Sequence, residues 1–290
     1  MPTMGNGKPK LVSRARLWLR SEKAFGLDSL PYRNQTQSEA GPYEIERPTP
    51  AQAPRPLPAP VKSGSPVNKP DPIAARQGLM PPPAVAPIDA PVLPVEERRI
   101  RLAALDQNEV SGCTKCRLCQ TRTRTVFGEG DPGAKIFFIG EGPGENEDLS
   151  GRPFVGRAGQ LLDKMINAMG LKREQVFIAN IVKCRPPNNR EPAPDEVATC
   201  TPYLERQLEI IRPQVIVTLG RPAASHMLQT KVAMGKIRGQ WQSWRGIKLM
   251  PTFHPAYVLR QYTEETRAAV WSDLKKVLVE LGMPVSSRGS

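Results

Sequence analysis

The chain has 290 residues, room for one large domain or two small ones, and carries a formal net charge of +13. No apolar run is long enough for a membrane span and no signal-like apolar core opens the chain, so the expectation is a cytoplasmic protein. Five cysteines, with a C-x-x-C among them, suit a metal or redox site better than disulfides.

Residues 1–94 hold 19 of the 32 prolines, in runs such as TPAQAPRPLPAP and MPPPAVAP. Proline donates no backbone hydrogen bond, so these runs cannot build helix or sheet interiors. The expectation is a disordered, basic, Pro-rich extension over 1–94 and a folded domain over 95–290. Within the extension, Leu17, Trp18, Phe25 and Leu27 predict a short helix at 13–30, either a docking motif for another protein or a weakly ordered tail. The extension has 12 Lys/Arg against 7 Asp/Glu, so most of the positive charge belongs to the domain. A polyanionic partner and a merely soluble basic surface both fit that charge, which by itself does not separate them.

From residue 95 helices and strands alternate. Ile100, Leu102, Leu105 and Val110 have helical spacing over 96–110. KIFFIGE (135–141) reads as a strand, AGQLLDKMINAMG (158–170) as a helix, and VFIANIVKC (176–184) as a second strand. Pro194 opens a long helix that ends before Pro213; VIVTLG (215–220) is a third strand, followed by a short helix with Ala223, Ala224 and Leu228. IKLMPTFHP (247–255) is a fourth strand or its exit, and 264–282 the closing helix. Short continuous apolar strands between helices imply a parallel sheet covered on both faces. The predicted fold is therefore a three-layer α/β/α sandwich around a central four-stranded parallel sheet. Ligands of such sheets lie beyond the carboxyl ends of the strands. GEGPGE, Asn180 with KCRPPNNR, and FHPAY all fall there.

GEGPGE is not a dinucleotide fingerprint, because Glu145 stands at the third glycine position and would repel a pyrophosphate. Its carboxylates fit a cationic or hydrogen-bond-donating ligand. Cys113 and Cys116, then Cys184 and Cys200, read as a four-thiolate site for zinc or an iron–sulfur cluster, which spacing does not separate; Cys119 is surplus. Of the two histidines, His226 on a helix reads as structural and His254, before Pro255 at a strand exit, as a site residue. The loops KCRPPNNREP and HPAYVLR combine rigidity with cationic and amide donors, which suits phosphate-backbone contact.

GEGPGENEDLSGRPFVGRAGQLL, NIVKCRPPNNREP and HPAYVLR, together with the cysteine spacing, resemble the family 4 uracil-DNA glycosylases over about 100–281. The resemblance implies a uracil-DNA glycosylase-like fold, a [4Fe–4S] cluster on Cys113, Cys116, Cys184 and Cys200, and a monomeric enzyme acting on uracil in single- or double-stranded DNA. It implies that Glu141 and His254 are catalytic with Glu147 in support, and that Gly142, Phe154 and Asn180 hold the base. Arg185, Arg190 and Arg260 are expected to contact DNA, with Leu259 or Val258 as the wedge that fills the gap left by the flipped nucleotide. A crosslinking branch of these enzymes carries Gln beside the first glycine and a histidine-bearing insert; Glu141 and the uninterrupted GRAGQ point instead to hydrolysis. The rival reading is a non-catalytic DNA-binding iron–sulfur or zinc protein of the same fold, such as a polymerase-associated factor.

Overall fold

A computed structural model describes residues 87–88 and 91–285. The Pro-rich runs and the helix expected at 13–30 lie outside the described residues. The helices in chain order are α1 (Val95–Leu105), α2 (Glu145–Ser150), α3 (Arg157–Ala168), α4 (Pro194–Ile211), α5 (Arg221–Leu228), α6 (Met234–Ile237), α7 (Pro255–Arg260) and α8 (Glu264–Glu280). α1 continues into one wider π turn, Asp106–Val110, so the expected helix is present to its last residue.

The strands are β1 (Glu129–Gly130), β2 (Ile136–Gly140), β3 (Phe177–Asn180), β4 (Val215–Leu219), β5 (Gln242–Trp244) and β6 (Ile247–Thr252). They form one sheet in the order β1-β3-β2-β4-β6-β5. The middle four are parallel and are the four expected strands. β1 and β5 add short antiparallel edges that sequence reading missed, because two or three residues display no periodicity.

Alternation along β2 explains the three layers. Phe137 and Ile139 pack on one face with Leu102, Leu105, Leu204, Leu208 and Ala223 of α1, α4 and α5. Ile136 and Phe138 pack on the other with Leu162, Met165, Val258 and Leu274 of α3, α7 and α8. Both faces of the strand are therefore buried, as a continuous apolar run requires. No helix among the described residues is long and apolar enough to cross a membrane.

β2 has β3 on one side and β4 on the other. The chain leaves it first one way and then the other, which opens a crevice at its carboxyl end. Register places Gly140, the last residue of β2, directly beside Asn180, the last of β3. Thr252, the last of β6, stands beside Leu219 of β4. His254 follows two residues later, so three separate motifs converge at one end of the sheet.

Candidate active site

The loop 140–156 contains α2, and its acidic residues are mostly structural. Glu147 lies three residues beyond Gly144, the spacing of a capping box. Its Oε2 accepts the Gly144 amide at 3.1 Å, and its Oε1 accepts the amides of Val155 and Gly156, each at 2.8 Å. One carboxylate thus ties the start of the loop to its end. Asp148 is buried and accepts the amides of Thr123, at 2.9 and 3.0 Å, and Arg124, at 3.3 Å. Glu145 is exposed and sits 3.6 Å from Arg185. Of the four, only Glu141 has neither a hydrogen-bond nor an ion-pair partner among the described residues. Burial first, then the charge of Glu191, pushes its pKa above the ordinary value, and Arg221 opposes the rise.

Phe154 is held in a left-handed backbone conformation, φ 51°, which side chains other than glycine's rarely adopt. Two contacts hold it there. Arg173 donates to the Pro153 carbonyl, and α3 crosses so close behind that a Cβ on Gly159 would stand 1.8 Å from the Phe154 carbonyl oxygen. The buried ring is thereby turned across the end of the sheet, 5.6 Å from the His254 ring at an interplanar angle of 33°. Gly140 lies between Phe154 and Asn180, where a Cβ would come within 2.3 Å of Asn180 Oδ1 and 2.5 Å of Phe154 Cζ.

Glu141, Gly142, Glu147, Phe154, Asn180 and His254 all line one open cavity of about 830 Å³. Asn180 is 1% exposed, and its Oδ1 is a buried acceptor with no partner. His254 caps α7 through its side chain: Nδ1 accepts the Ala256 amide at 3.0 Å. Burial, reinforced by Arg260, holds its pKa down to about 4, with Glu147 pulling the other way. At neutral pH the ring is therefore uncharged. With Nδ1 accepting, its proton resides on Nε2. The cavity thus offers an acceptor that lacks a donor, an aromatic face, a neutral imidazole and a carboxylate.

The family model for the uracil DNA glycosylase superfamily matches residues 127–275, which contain every one of these groups. The chain belongs to the uracil DNA glycosylase superfamily. Curated relatives named type-4 uracil-DNA glycosylase place it on that branch. The protein from Thermotoga maritima is 49% identical over 180 residues, spanning 61% of this chain and 94% of the relative. That from Sulfurisphaera tokodaii is 50% identical over 180 residues, 59% of this chain and 81% of the relative. That from Saccharolobus solfataricus is 49% identical over 179 residues, 59% of this chain and 82% of the relative.

In this superfamily member the expected DNA-contacting residues divide. Arg260 lines the cavity, as does Arg221, which sequence reading did not single out; both are exposed, and neither has a hydrogen-bond or ion-pair partner among the described residues. Arg190 also reaches the cavity, but its guanidinium is engaged with buried Glu196 at 2.7 and 2.8 Å. Arg185 donates to Asn189 Oδ1 at 2.8 Å and does not line the cavity. Leu259 packs partly against the core, and Val258 is 3% exposed within it. Val258 therefore cannot act as a wedge: the helical turn of α7 directs it inward. Tyr257 of α7, Met234 of α6 and Phe253, in the link between β6 and α7, line the cavity without having been expected there.

Cys113, Cys116, Cys184 and Cys200 line a separate small cavity with Arg122, Lys183 and Tyr203, while Cys119 stays outside it. No disulfide joins them. Among the described residues no three His, Cys, Asp or Glu side chains gather as a metal-ion site. Polar groups already face the sulfurs: Arg122 Nη1 donates to Cys184 Sγ at 3.2 Å and the Lys183 amide to Cys200 Sγ at 3.2 Å, while the Tyr203 hydroxyl lies 3.4 Å from Cys113 Sγ. Burial pushes the Cys184 thiol up to about 11 and raises Cys116 and Cys200 as well, so a bound metal must displace their protons. A four-thiolate set with N–H donors around it fits an iron–sulfur cluster. His226 bonds to Thr201 Oγ1 at 3.0 Å and does not line the active-site cavity.

Proposed function

We propose that this chain is a monofunctional uracil-DNA glycosylase, hydrolysing the bond between uracil and deoxyribose in DNA and leaving an abasic site. The observation that carries the reading is the orphaned Asn180 Oδ1 inside the cavity. A buried acceptor without a donor costs about 1–3 kcal/mol, so the site is built for a ligand that supplies one. Uracil presents N3–H as donor and O4 as acceptor on one edge, and a single amide satisfies both. Cytosine reverses that pattern and would leave two mismatches. Thymine differs by its C5 methyl, against which the Gly142–Pro143–Gly144 backbone stands.

A base inside the duplex cannot reach this cavity, so the nucleotide must rotate out of the stack. Arg260 and Arg221, exposed and unpaired at the cavity, suit the flanking phosphates, and Leu259 is left as the wedge. Phe154 covers the face of the base. Departure of the base leaves negative charge on uracil O2 and positive charge on the sugar. His254 Nε2–H donates to O2, a contribution of about 10²–10³ in rate for such donors. Glu141, when ionised, stabilises the sugar cation and takes a proton from the attacking water. Glu147 acts through the loop it ties and keeps Glu141 and Phe154 in place. Cys113, Cys116, Cys184 and Cys200 would hold a [4Fe–4S] cluster, whose iron–thiolate bonds supply a cross-link between the segment after α1, the segment after β3 and α4.

Incubation with oligonucleotides containing U:G, U:A or single-stranded U, followed by alkali, tests the activity. A strand break at uracil is expected, and no break on any of the three substrates refutes it. The cluster predicts a brown protein that bleaches when iron is chelated; a colourless, zinc-bearing preparation contradicts it.

A further inference from the structure

Lys183 is 1% exposed and lines the cysteine cavity, while Asn180, three residues earlier, lines the active-site cavity. Its ammonium donates to the Asn180 carbonyl at 3.0 Å and to Gln207 Oε1 at 2.6 Å, and lies 5.9 Å from the centre of the Phe127 ring. Gln207 is oriented for this by its own Nε2, which donates to the Phe127 carbonyl at 2.9 Å. All these partners are neutral. No carboxylate forms an ion pair with Lys183 among the described residues. The carboxylate that does act on it, half-buried Asp106, makes no contact with the ammonium and is itself pushed towards its neutral form by burial. A buried ammonium with no counter-charge in contact is costly, and folded proteins rarely retain one unless something compensates.

The main chain of Lys183 shows where compensation is available. Its amide donates to Cys200 Sγ at 3.2 Å, its carbonyl accepts the Val126 amide at 2.7 Å, and Cys184 is the next residue. Four thiolates outweigh the positive charge of an iron–sulfur core, so the loaded site is anionic. We propose that Lys183 is a positioning residue for base recognition: its buried charge balances a cluster held by the four cysteines, and its ammonium fixes the main chain that carries Asn180. The inference rests on the glycosylase reading for the identity of the base, but not for the charge balance. It explains why a residue that never faces DNA stands between a metal site and an amide three residues earlier in the sequence.

The test compares cluster-loaded wild type with Lys183→Met, which keeps the length and apolar stem but loses the charge, and Lys183→Arg, which keeps the charge. The first readout is the midpoint potential of the cluster by spectroelectrochemistry. A nearby cation favours the more negative, reduced cluster, so Lys183→Met must lower the potential while Lys183→Arg holds it near wild type. The second is the affinity for a single strand carrying non-hydrolysable 2′-fluoro-deoxyuridine, relative to the same strand with thymidine. Lys183→Met is expected to reduce that preference about tenfold. An unchanged potential, or an equal fall in the Arg variant, overturns the charge balance; an unchanged preference overturns the positioning role. If Lys183→Met does not accumulate folded, Gln207→Glu sets a carboxylate against the ammonium and must also lower the potential, and failure to do so counts against the proposal. A wild type with no preference for uracil sinks the glycosylase reading instead, while the potentials still decide the charge balance.

Discussion

His254 should remain a neutral imidazole, protonated on Nε2, throughout the working pH range. Its Nδ1 is occupied by the Ala256 amide at 3.0 Å, so a second proton would have to break that cap and leave a cation in a desolvated site beside Arg260. Displacement from the usual 6.5 to about 4 corresponds to about 3 kcal/mol against the charged ring. The unfolded chain takes up this proton near 6.5, whereas the native ring does so only near 4. The contribution is therefore fully present above the first value and is lost progressively as the pH falls towards the second. The sequence contains only two histidines, so a nitrogen-detected NMR titration resolves each of them. The expected spectrum shows one ring locked as the Nε2–H tautomer across roughly pH 5–8. A His254 that titrates near its ordinary value, or that carries its proton on Nδ1, refutes the reasoning. His254→Ala should then slow the chemical step by about 10²-fold while DNA affinity stays near wild type.

Other substitutions separate chemistry from scaffolding. Asn180→Asp should abolish excision or relax the choice between uracil and cytosine; unchanged selectivity on a paired substrate set contradicts the amide reading. Glu141→Gln should lower kcat without lowering the melting temperature, because the carboxylate has no partner and burial disfavours its charge. In wild type the activity should fall on acidification from a pH above the ordinary carboxylate range, since the raised group protonates early. Glu147→Ala removes three amide contacts and should cost about 2–4 kcal/mol in denaturant unfolding; a cost near zero would mean the loop is not tied by this residue. Gly140→Ala should lose uracil affinity, as its methyl would stand 2.3 Å from Asn180 Oδ1 and 2.5 Å from Phe154 Cζ and so displace groups that hold the base; retained affinity in the folded variant would place the base elsewhere.

Sequence alone determined the four central strands and the end of the sheet where chemistry gathers. Continuous apolar runs between helices allow only a covered parallel sheet, and GEGPGE, Asn180 and His254 each follow such a run. The edge strands escaped because they are too short to show alternation. The division of labour within GEGPGENEDLSGRPFVG was not legible either. Glu147, Asp148 and Glu141 are the same chemistry in one dimension. Only the fold gives amides to the first two and leaves the third bare, because main-chain donors from residues 123–124 and 155–156 arrive there by tertiary approach. The same holds for Val258 and Arg260 in HPAYVLR: one helical turn sends the first into the core and the second to the cavity. Residue types fix what chemistry is available, while burial and hydrogen bonding, which depend on neighbours distant in the chain, decide which copy of each group performs it.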